Sequence, residues 1–329
     1  MDPKRLLHLV DRDALALEYT RQNVVLNHLS PVKVYGSLGY DSVEVRDFDL
    51  ILSNIPAKAG EQVISSFLLG AQGVLGPGGL VAIVVVSPLA WMAQRILDDP
   101  AIGVVFRKEW PGHTVLHYRF RESLEPVWAD ASASGRGIYD RAGITVATDR
   151  LQFPMQTAWG LAEFDTLSYH SELLIDALLG FEAVVENALV YNPGQGHSAV
   201  ALWQLFKPHH ITLIDRDRLG LSYTRKNLVL NGCPAGQILL SHQVGLSGGS
   251  GEPADLIVGV LREGEGPEAA VVTLRQAAGR LAPDGTILLA ASSTAATRLV
   301  QVLAGEKFLR VEKRKRSRGV SLLHLRPPC

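Results

Sequence analysis

The chain has 329 residues, 47% of them hydrophobic and 20% charged, with a formal net charge of −1. Such a balance excludes a disordered chain, the length suits two domains of ordinary size, and the near-zero charge excludes a strong uniform field for nucleic acid. No apolar run approaches the ~20 residues that span a bilayer, and two cysteines, Cys233 and Cys329, make neither a disulfide framework nor a thiolate metal site.

The apolar run Leu6 to Val10 reads as a buried strand ending at Asp11, and residues 13–28 show helical spacing. Strands are predicted at 32–36 and 48–52, the second ending in the turn Ser53-Asn54-Ile55-Pro56. A helix over about 60–75 is expected to stop at Gly76-Pro77-Gly78-Gly79. The run Leu80 to Val86 is a further strand, followed by a helix near 89–98 and a closing strand pair near 102–108 and 113–120. Strands alternating with helices predict a mostly parallel α/β sheet with an antiparallel hairpin at its edge.

Residues 11–27, DRDALALEYTRQNVVLN, return at 215–231 as DRDRLGLSYTRKNLVLN, with twelve of seventeen positions identical. The chain is therefore two copies of one domain. The second copy adds a helix at 169–180, a strand at 186–191, a glycine turn and a helix at 198–206 before the strand 211–214 that ends at Asp215. Segment 255–260 matches 49–54, and Leu281 to Gly285 matches Leu75 to Gly79. The expected domains are 1–121 and 151–329, with 122–150 as the connection.

Gly194 and Gly196 follow a strand and open a helix. Glycine there lets the backbone approach a ligand, and the helix N-terminus offers unpaired N–H groups. Asp215 comes nineteen residues after Gly196, where a carboxylate can accept hydrogen bonds from ribose hydroxyls. A methyl-donor site, a dinucleotide site and a purely structural glycine turn all remain open on this loop alone. The turn after Asp49-Leu50-Ile51-Leu52 is more telling. An Asn54 amide oxygen and the Ile55 carbonyl, on a bend stiffened by Pro56, can accept hydrogen bonds from an exocyclic amine and aim its lone pair at an electrophilic methyl group. The plainer alternative is that Ser53 or Asn54 caps the next helix.

With these residues in view, the chain resembles the class I S-adenosylmethionine-dependent methyltransferases. More narrowly it resembles the small methyltransferase domain family, which includes ribosomal RNA guanine-N2 methyltransferases built as tandem duplications. The resemblance rests on Val10-Asp11, Asn23, Asn27, Asp49 to Pro56 and Lys58-Ala59-Gly60, and on Gly194-Gln195-Gly196, Asp215, Asn227 and Asn231 in the second copy. It implies two tandem Rossmann-like domains with helices on both sheet faces, S-adenosyl-L-methionine as cofactor, and ribosomal RNA as substrate. It further implies that Asp11 and Asp215 hold the donor ribose and that Asn54 occupies the amine position of the Asn-Pro-Pro-aromatic motif. Ile55 replaces the first proline and keeps a main-chain carbonyl, while Ala57 replaces the stacking aromatic. In the second copy Val260 replaces the Asn and Arg262 the Pro, so no amine acceptor survives there; Asn192 and Ser198 also depart from the glycine-loop pattern.

Counting back from Gly194 by the repeat spacing places the first copy's opening strand and glycine loop before Met1. The first domain is therefore expected to lack both, which predicts a gap or a rearranged sheet, and the sequence is expected to be a fragment of a longer reading frame. Lys307, Arg310, Lys313, Arg314, Lys315, Arg316 and Arg318 place seven basic residues in twelve positions. They protect a strand edge or contact RNA phosphates, the latter through Lys313, Arg314, Lys315 and Arg316. His209-His210 reads as a loop pair, since adjacent strand residues face opposite ways. Trp110 is read as packing or as lining a substrate cleft. The opening residues lack an apolar signal core, so a cytoplasmic location is expected, with no metal and no membrane contact. The rival functions are a catalytically silent RNA-binding or scaffold protein and, more remotely, a dinucleotide oxidoreductase.

Overall fold

The computed structural model describes residues 5–122, 135–248, 252–262, 264 and 266–328. In chain order the elements are β1 (Leu7–Asp11), α1 (Ala14–Leu26), β2 (Val32–Gly36), β3 (Phe48–Asn54), α2 (Gly60–Leu69), β4 (Leu75–Val86), α3 (Ala90–Leu97), β5 (Ile102–Trp110) and β6 (His113–Phe120). There follow β7 (Asp140–Ala147), β8 (Gln152–Ala158), α4 (Tyr169–Leu179), β9 (Asn187–Tyr191), α5 (His197–Phe206), β10 (His210–Asp215) and α6 (Arg218–Leu230). The chain closes with β11 (Ile238–His242), β12 (Ala254–Val260), α7 (Gly266–Ala278), β13 (Leu281–Ser292), α8 (Ser293–Glu306), β14 (Arg310–Ser317) and β15 (Val320–Arg326). The repeated motif makes the same local structure twice. Asp13 and Asp217 stand just ahead of α1 and α6, and their Oδ1 atoms accept the backbone N–H of Leu15 at 2.9 Å and Leu219 at 3.0 Å. A carboxylate there satisfies an N–H that the helix itself leaves unpaired.

Two compact units form: Met1–Arg12 with Ser30–Asp140, and Asp13–Leu29 with Arg141–Cys329. These differ from the expected domains 1–121 and 151–329. Helix α1 belongs with the second unit, because the Ala14 N–H donates to the Arg216 carbonyl at 2.8 Å and Asp13 bridges Asp217. The expected connection 122–150 is in part structural, since β7 pairs with β8 and Val146, Phe153 and Met155 enter the core. Residues 123–134 of that connection lie outside the described residues.

The second unit is a complete doubly wound sheet in the order β11-β10-β9-β12-β13-β15-β14. Its first five strands run parallel and the β14–β15 hairpin is antiparallel. One face buries Leu174, Val200, Leu213 and Val258; the other buries Leu189, Ile214, Leu274 and Leu299. The first unit holds the same order in two pieces, β1-β2 and β3-β4-β6-β5. Among its described residues no strand pairs with the free edge of β1 or β3, the place that β9 fills in the second unit. Helices α2 and α3 cover one face of the four-stranded sheet over Val81, Ile83, Val85, Leu116 and Tyr118.

The Gly76 to Gly79 cluster does not separate helix from strand as the sequence suggested; it is a bulge within β4. Pairing jumps from Phe48↔Leu75 to Leu50↔Leu80. A Cβ on Gly79 would meet the Phe48 carbonyl at 2.8 Å, and one on Gly285 would meet the Ala254 carbonyl at the same distance. Both copies thus need glycine at this close approach. Among the described residues no helix is long and apolar enough to cross a membrane.

Candidate active site

Along β3 the residues alternate between two environments. Ile51 packs against the α2–α3 core and Ile55, just past the strand, is buried in it, whereas Asn54 is exposed. The turn is pinned from below: the Ile55 N–H donates to the Val84 carbonyl at 2.9 Å. Pro56 then fixes the backbone. Helix α2 is preceded by Ala59, which makes no side-chain capping bond. Neither Ser53 nor Asn54 caps it, and the Asn54 amide makes no hydrogen bond among the described residues. Asn54 sits where parallel strands end, the edge at which open α/β sheets bind ligands.

The same sheet edge carries Trp110. Pairing runs Asn54↔Val84↔Val115↔Lys108 across β3, β4, β6 and β5, and two rungs outward stands Val86↔His113↔Trp110. Trp110 is exposed, with the Lys108 ammonium 4.2 Å from its ring centroid. It is therefore not a core residue. Ala57 is exposed and offers no ring at the motif's stacking position.

Asp11 ends β1, and its carbonyl accepts the Ser37 N–H at 3.0 Å. Asp215 ends β10 in the same way, its carbonyl accepting the Gln243 N–H at 3.2 Å. The two carboxylates then diverge. Asp11 is exposed, whereas Asp215 is fully buried. Asp215 Oδ1 accepts the Asp217 N–H at 2.8 Å and a hydrogen bond from the Arg262 guanidinium. Burial pushes the Asp215 carboxyl up from 3.8 to about 6, against the opposing pull of Arg262.

Around the glycine turn, Gly194 and Gly196 both have positive φ, 59° and 97°. Side chains tie the turn to the rest of the unit. The Gln195 amide accepts the Ala158 N–H at 3.1 Å and donates to the Ala158 carbonyl at 3.3 Å. The Asn192 amide donates to the Val260 carbonyl at 2.9 Å. Asn227 Nδ2 donates to the Gln195 carbonyl at 2.8 Å. Beside the turn, the buried His197 ring lies 3.2 Å from Glu163. Burial by itself would raise the Glu163 carboxyl, but His197, Ser168 and Ser171 hold it below its ordinary value. The sequence did not reveal the Arg262–Asp215 pair or the Glu163–His197 pair. For Arg262 a signal existed: a charge in an apolar turn, at the position matching Pro56.

The basic run forms edge strand β14 and its turn. Arg314 points into the fold, donating to the Ser293 carbonyl, Thr297 and Ser321. Lys315 pairs with Asp176 at 3.2 Å. Of the four residues expected to contact phosphate, Lys313 and Arg316 are exposed with no acidic partner among the described residues.

Residues 1–106 match the methyltransferase small domain family. Among solved structures, the T. thermophilus 16S rRNA N2 G1207 methyltransferase RsmC, in complex with AdoMet and guanosine, is 16% identical with a TM-score of 0.65. The match covers 99% of this chain and 89% of that one. At that identity the likeness establishes the α/β fold alone. The ribosomal protein L11 methylase of Lactobacillus delbrueckii subsp. bulgaricus is 18% identical with a TM-score of 0.41, covering 49% of this chain and 77% of that one. No curated protein sequence matches the chain.

Proposed function

We propose that this chain, which carries a methyltransferase small domain over residues 1–106, is an S-adenosyl-L-methionine-dependent N-methyltransferase acting on guanine N2 of ribosomal RNA. The observation that carries the reading is the Asn54 amide: exposed at the end of β3, unused as a helix cap, and held by a buried neighbour and a proline. Asn54 Oδ1 and the Ile55 carbonyl accept hydrogen bonds from the exocyclic amine and fix its lone pair. Pro56 keeps the bend from relaxing. The bound donor supplies an activated methyl group, so alignment is the main demand on the protein. Asp11, exposed at the end of β1, accepts hydrogen bonds from the donor ribose. The solved relative with the higher TM-score, described as an rRNA guanine N2 methyltransferase with AdoMet and guanosine, supports the choice of amine.

The glycine-loop strand is the one donor-binding part with no counterpart in the described first unit. That observation favours a second reading, a catalytically silent RNA-binding or scaffold protein. Incubation of the full chain with labelled S-adenosyl-L-methionine and unmodified ribosomal RNA, followed by nucleoside mass spectrometry, separates the two. N2-methylguanosine that disappears in Asn54→Ala supports catalysis. No methyl transfer, with RNA binding intact, supports the silent protein.

A further inference from the structure

The β5–β6 and β14–β15 hairpins repeat one structure. Each turns on two residues, Pro111-Gly112 and Arg318-Gly319, and the registers match. Trp110↔His113, Lys108↔Val115 and Phe106↔His117 correspond to Ser317↔Val320, Lys315↔Leu322 and Lys313↔His324. A register shift follows at the same place, before Phe106 in one hairpin and before Lys313 in the other. Residues opposite each other share a face, so these positions form one patch in each unit.

In the second unit α4 closes that patch. Val320 and Leu322 are buried in one core with Leu174 and Leu178 of the helix, and Lys315 pairs with Asp176 at 3.2 Å. In the first unit α2 and α3 cover the opposite face, over Leu116 and Tyr118, and the patch is open. Its residues differ accordingly. Trp110 is 53% exposed and Phe106 42%. His113 is exposed where its counterpart Val320 is buried, and a histidine is costly to bury without a partner. The Lys108 ammonium lies 4.2 Å from the Trp110 ring centroid, with no acidic partner among the described residues. The Phe106 and His117 rings lie 4.7 Å apart, tilted by 32°. No acid stands at the paired positions of this face between Leu50 and Trp110, and Asn54 belongs to it. Open rings beside cations take unpaired bases and their phosphates, because every base has a face to stack.

We infer that this hairpin is a platform for single-stranded RNA, on which Trp110 and Phe106 stack bases and Lys108 supplies charge for the phosphates. Three strand spacings, about 14 Å, separate β5 from β3. The platform therefore takes nucleotides flanking the target, not the base at Asn54. The inference rests on the reading of RNA as the substrate and extends it to how the strand is held.

Anisotropy titration of the full chain with a fluorescein-labelled single-stranded RNA dodecamer tests it, the same dodecamer in duplex form being the control. Wild type is expected to bind the single strand more tightly. Trp110→Ala should weaken that binding about ten- to a hundredfold, the worth of one stacked base, with the salt dependence and duplex binding unchanged. Trp110→Phe should restore most of the loss, and Lys108→Ala should lower the salt dependence by roughly one ion. Wild-type affinity in Trp110→Ala, equal losses on strand and duplex, or no single-strand binding by wild type overturns the inference. Hydrogen-exchange protection of 104–117 by a synthetic peptide of residues 168–180, and none by the RNA, would make the face a helix site and also overturn it. Failure of the methyl-transfer reading is distinct: no N2-methylguanosine forms, yet strand binding and its dependence on Trp110 persist.

Discussion

Asn23 and Asn227 occupy the same place in the repeated motif, and truncating them is expected to have opposite consequences. Asn227 is fully buried on α6. Its Oδ1 accepts the Gln156 N–H at 2.7 Å, and its Nδ2 donates to the carbonyls of Gln156 at 3.0 Å and Gln195 at 2.8 Å. Those three bonds join β8 to the glycine turn. Asn227→Ala removes them and strands an N–H and two carbonyls. At about 1 kcal/mol for each of the two half-buried Gln156 bonds, and about 1–3 kcal/mol for the buried Gln195 carbonyl left unsatisfied, the cost is about 3–5 kcal/mol. That is a large part of a typical domain stability of ~5–15 kcal/mol. Asn23 is exposed on α1 and its side chain has no partner among the described residues. Alanine favours helix over asparagine there, so Asn23→Ala should lie within about 0.5 kcal/mol of wild type. Urea unfolding followed by circular dichroism measures both, and hydrogen exchange at 152–158 locates the loss. An Asn227→Ala cost below about 1 kcal/mol, or equal costs for the two variants, would refute this reasoning.

Asn54→Ala should slow methyl transfer about 100-fold through lost alignment while leaving the melting temperature unchanged, because the side chain is exposed; a shifted melt would mean it is structural. Ile55→Ala should cost about 2–4 kcal/mol in stability as well as activity, since that side chain is buried in the α2–α3 core; this is read from the urea midpoint. The Asp215 carboxyl binds its proton more tightly folded, near 6, than unfolded, near 3.8. Its contribution to stability is therefore present below about pH 4 and lost as pH rises through 6, by up to roughly 3 kcal/mol. The stability difference between wild type and Asp215→Asn should fall over that window and be flat above it; a pH-independent difference counts against the raised value. Lys313→Ala with Arg316→Ala should weaken RNA binding and lower its salt dependence by roughly one to two ions. By contrast Arg314→Ala should chiefly destabilise the fold, which salt-titrated binding and thermal melts distinguish.

Much of the fold was legible because periodicity and punctuation carry it. The run from Leu6 to Asp11, the helical spacing over 13–28 and the strand leading into the Ser53–Pro56 turn each act over a few residues, and each formed where the pattern placed it. A break beside β1 and β3 was legible too, through arithmetic on the repeat: among the described residues of the first unit these strands lie in separate sheets. The Gly76–Gly79 bulge was misread as a helix stop because a glycine cluster looks alike whether it ends a helix or loops out within a strand. The compact units depart from the chain-order domains for a different reason: α1 is covalently part of the first copy but groups with the second unit. Chain order does not record which surface a helix packs against.

The sequence by itself determined that one seventeen-residue motif occurs twice, and which half keeps an amide at the end of β3 and which keeps a glycine turn. These are matters of residue identity and spacing. Only the tertiary structure decided that the twin acids Asp11 and Asp215 differ, one open to water and one sealed beneath Arg262. It likewise decided that the twin asparagines Asn23 and Asn227 lie outside and inside. Burial and hydrogen-bond partners come from segments far away in the chain, and identical local sequences cannot specify neighbours that differ.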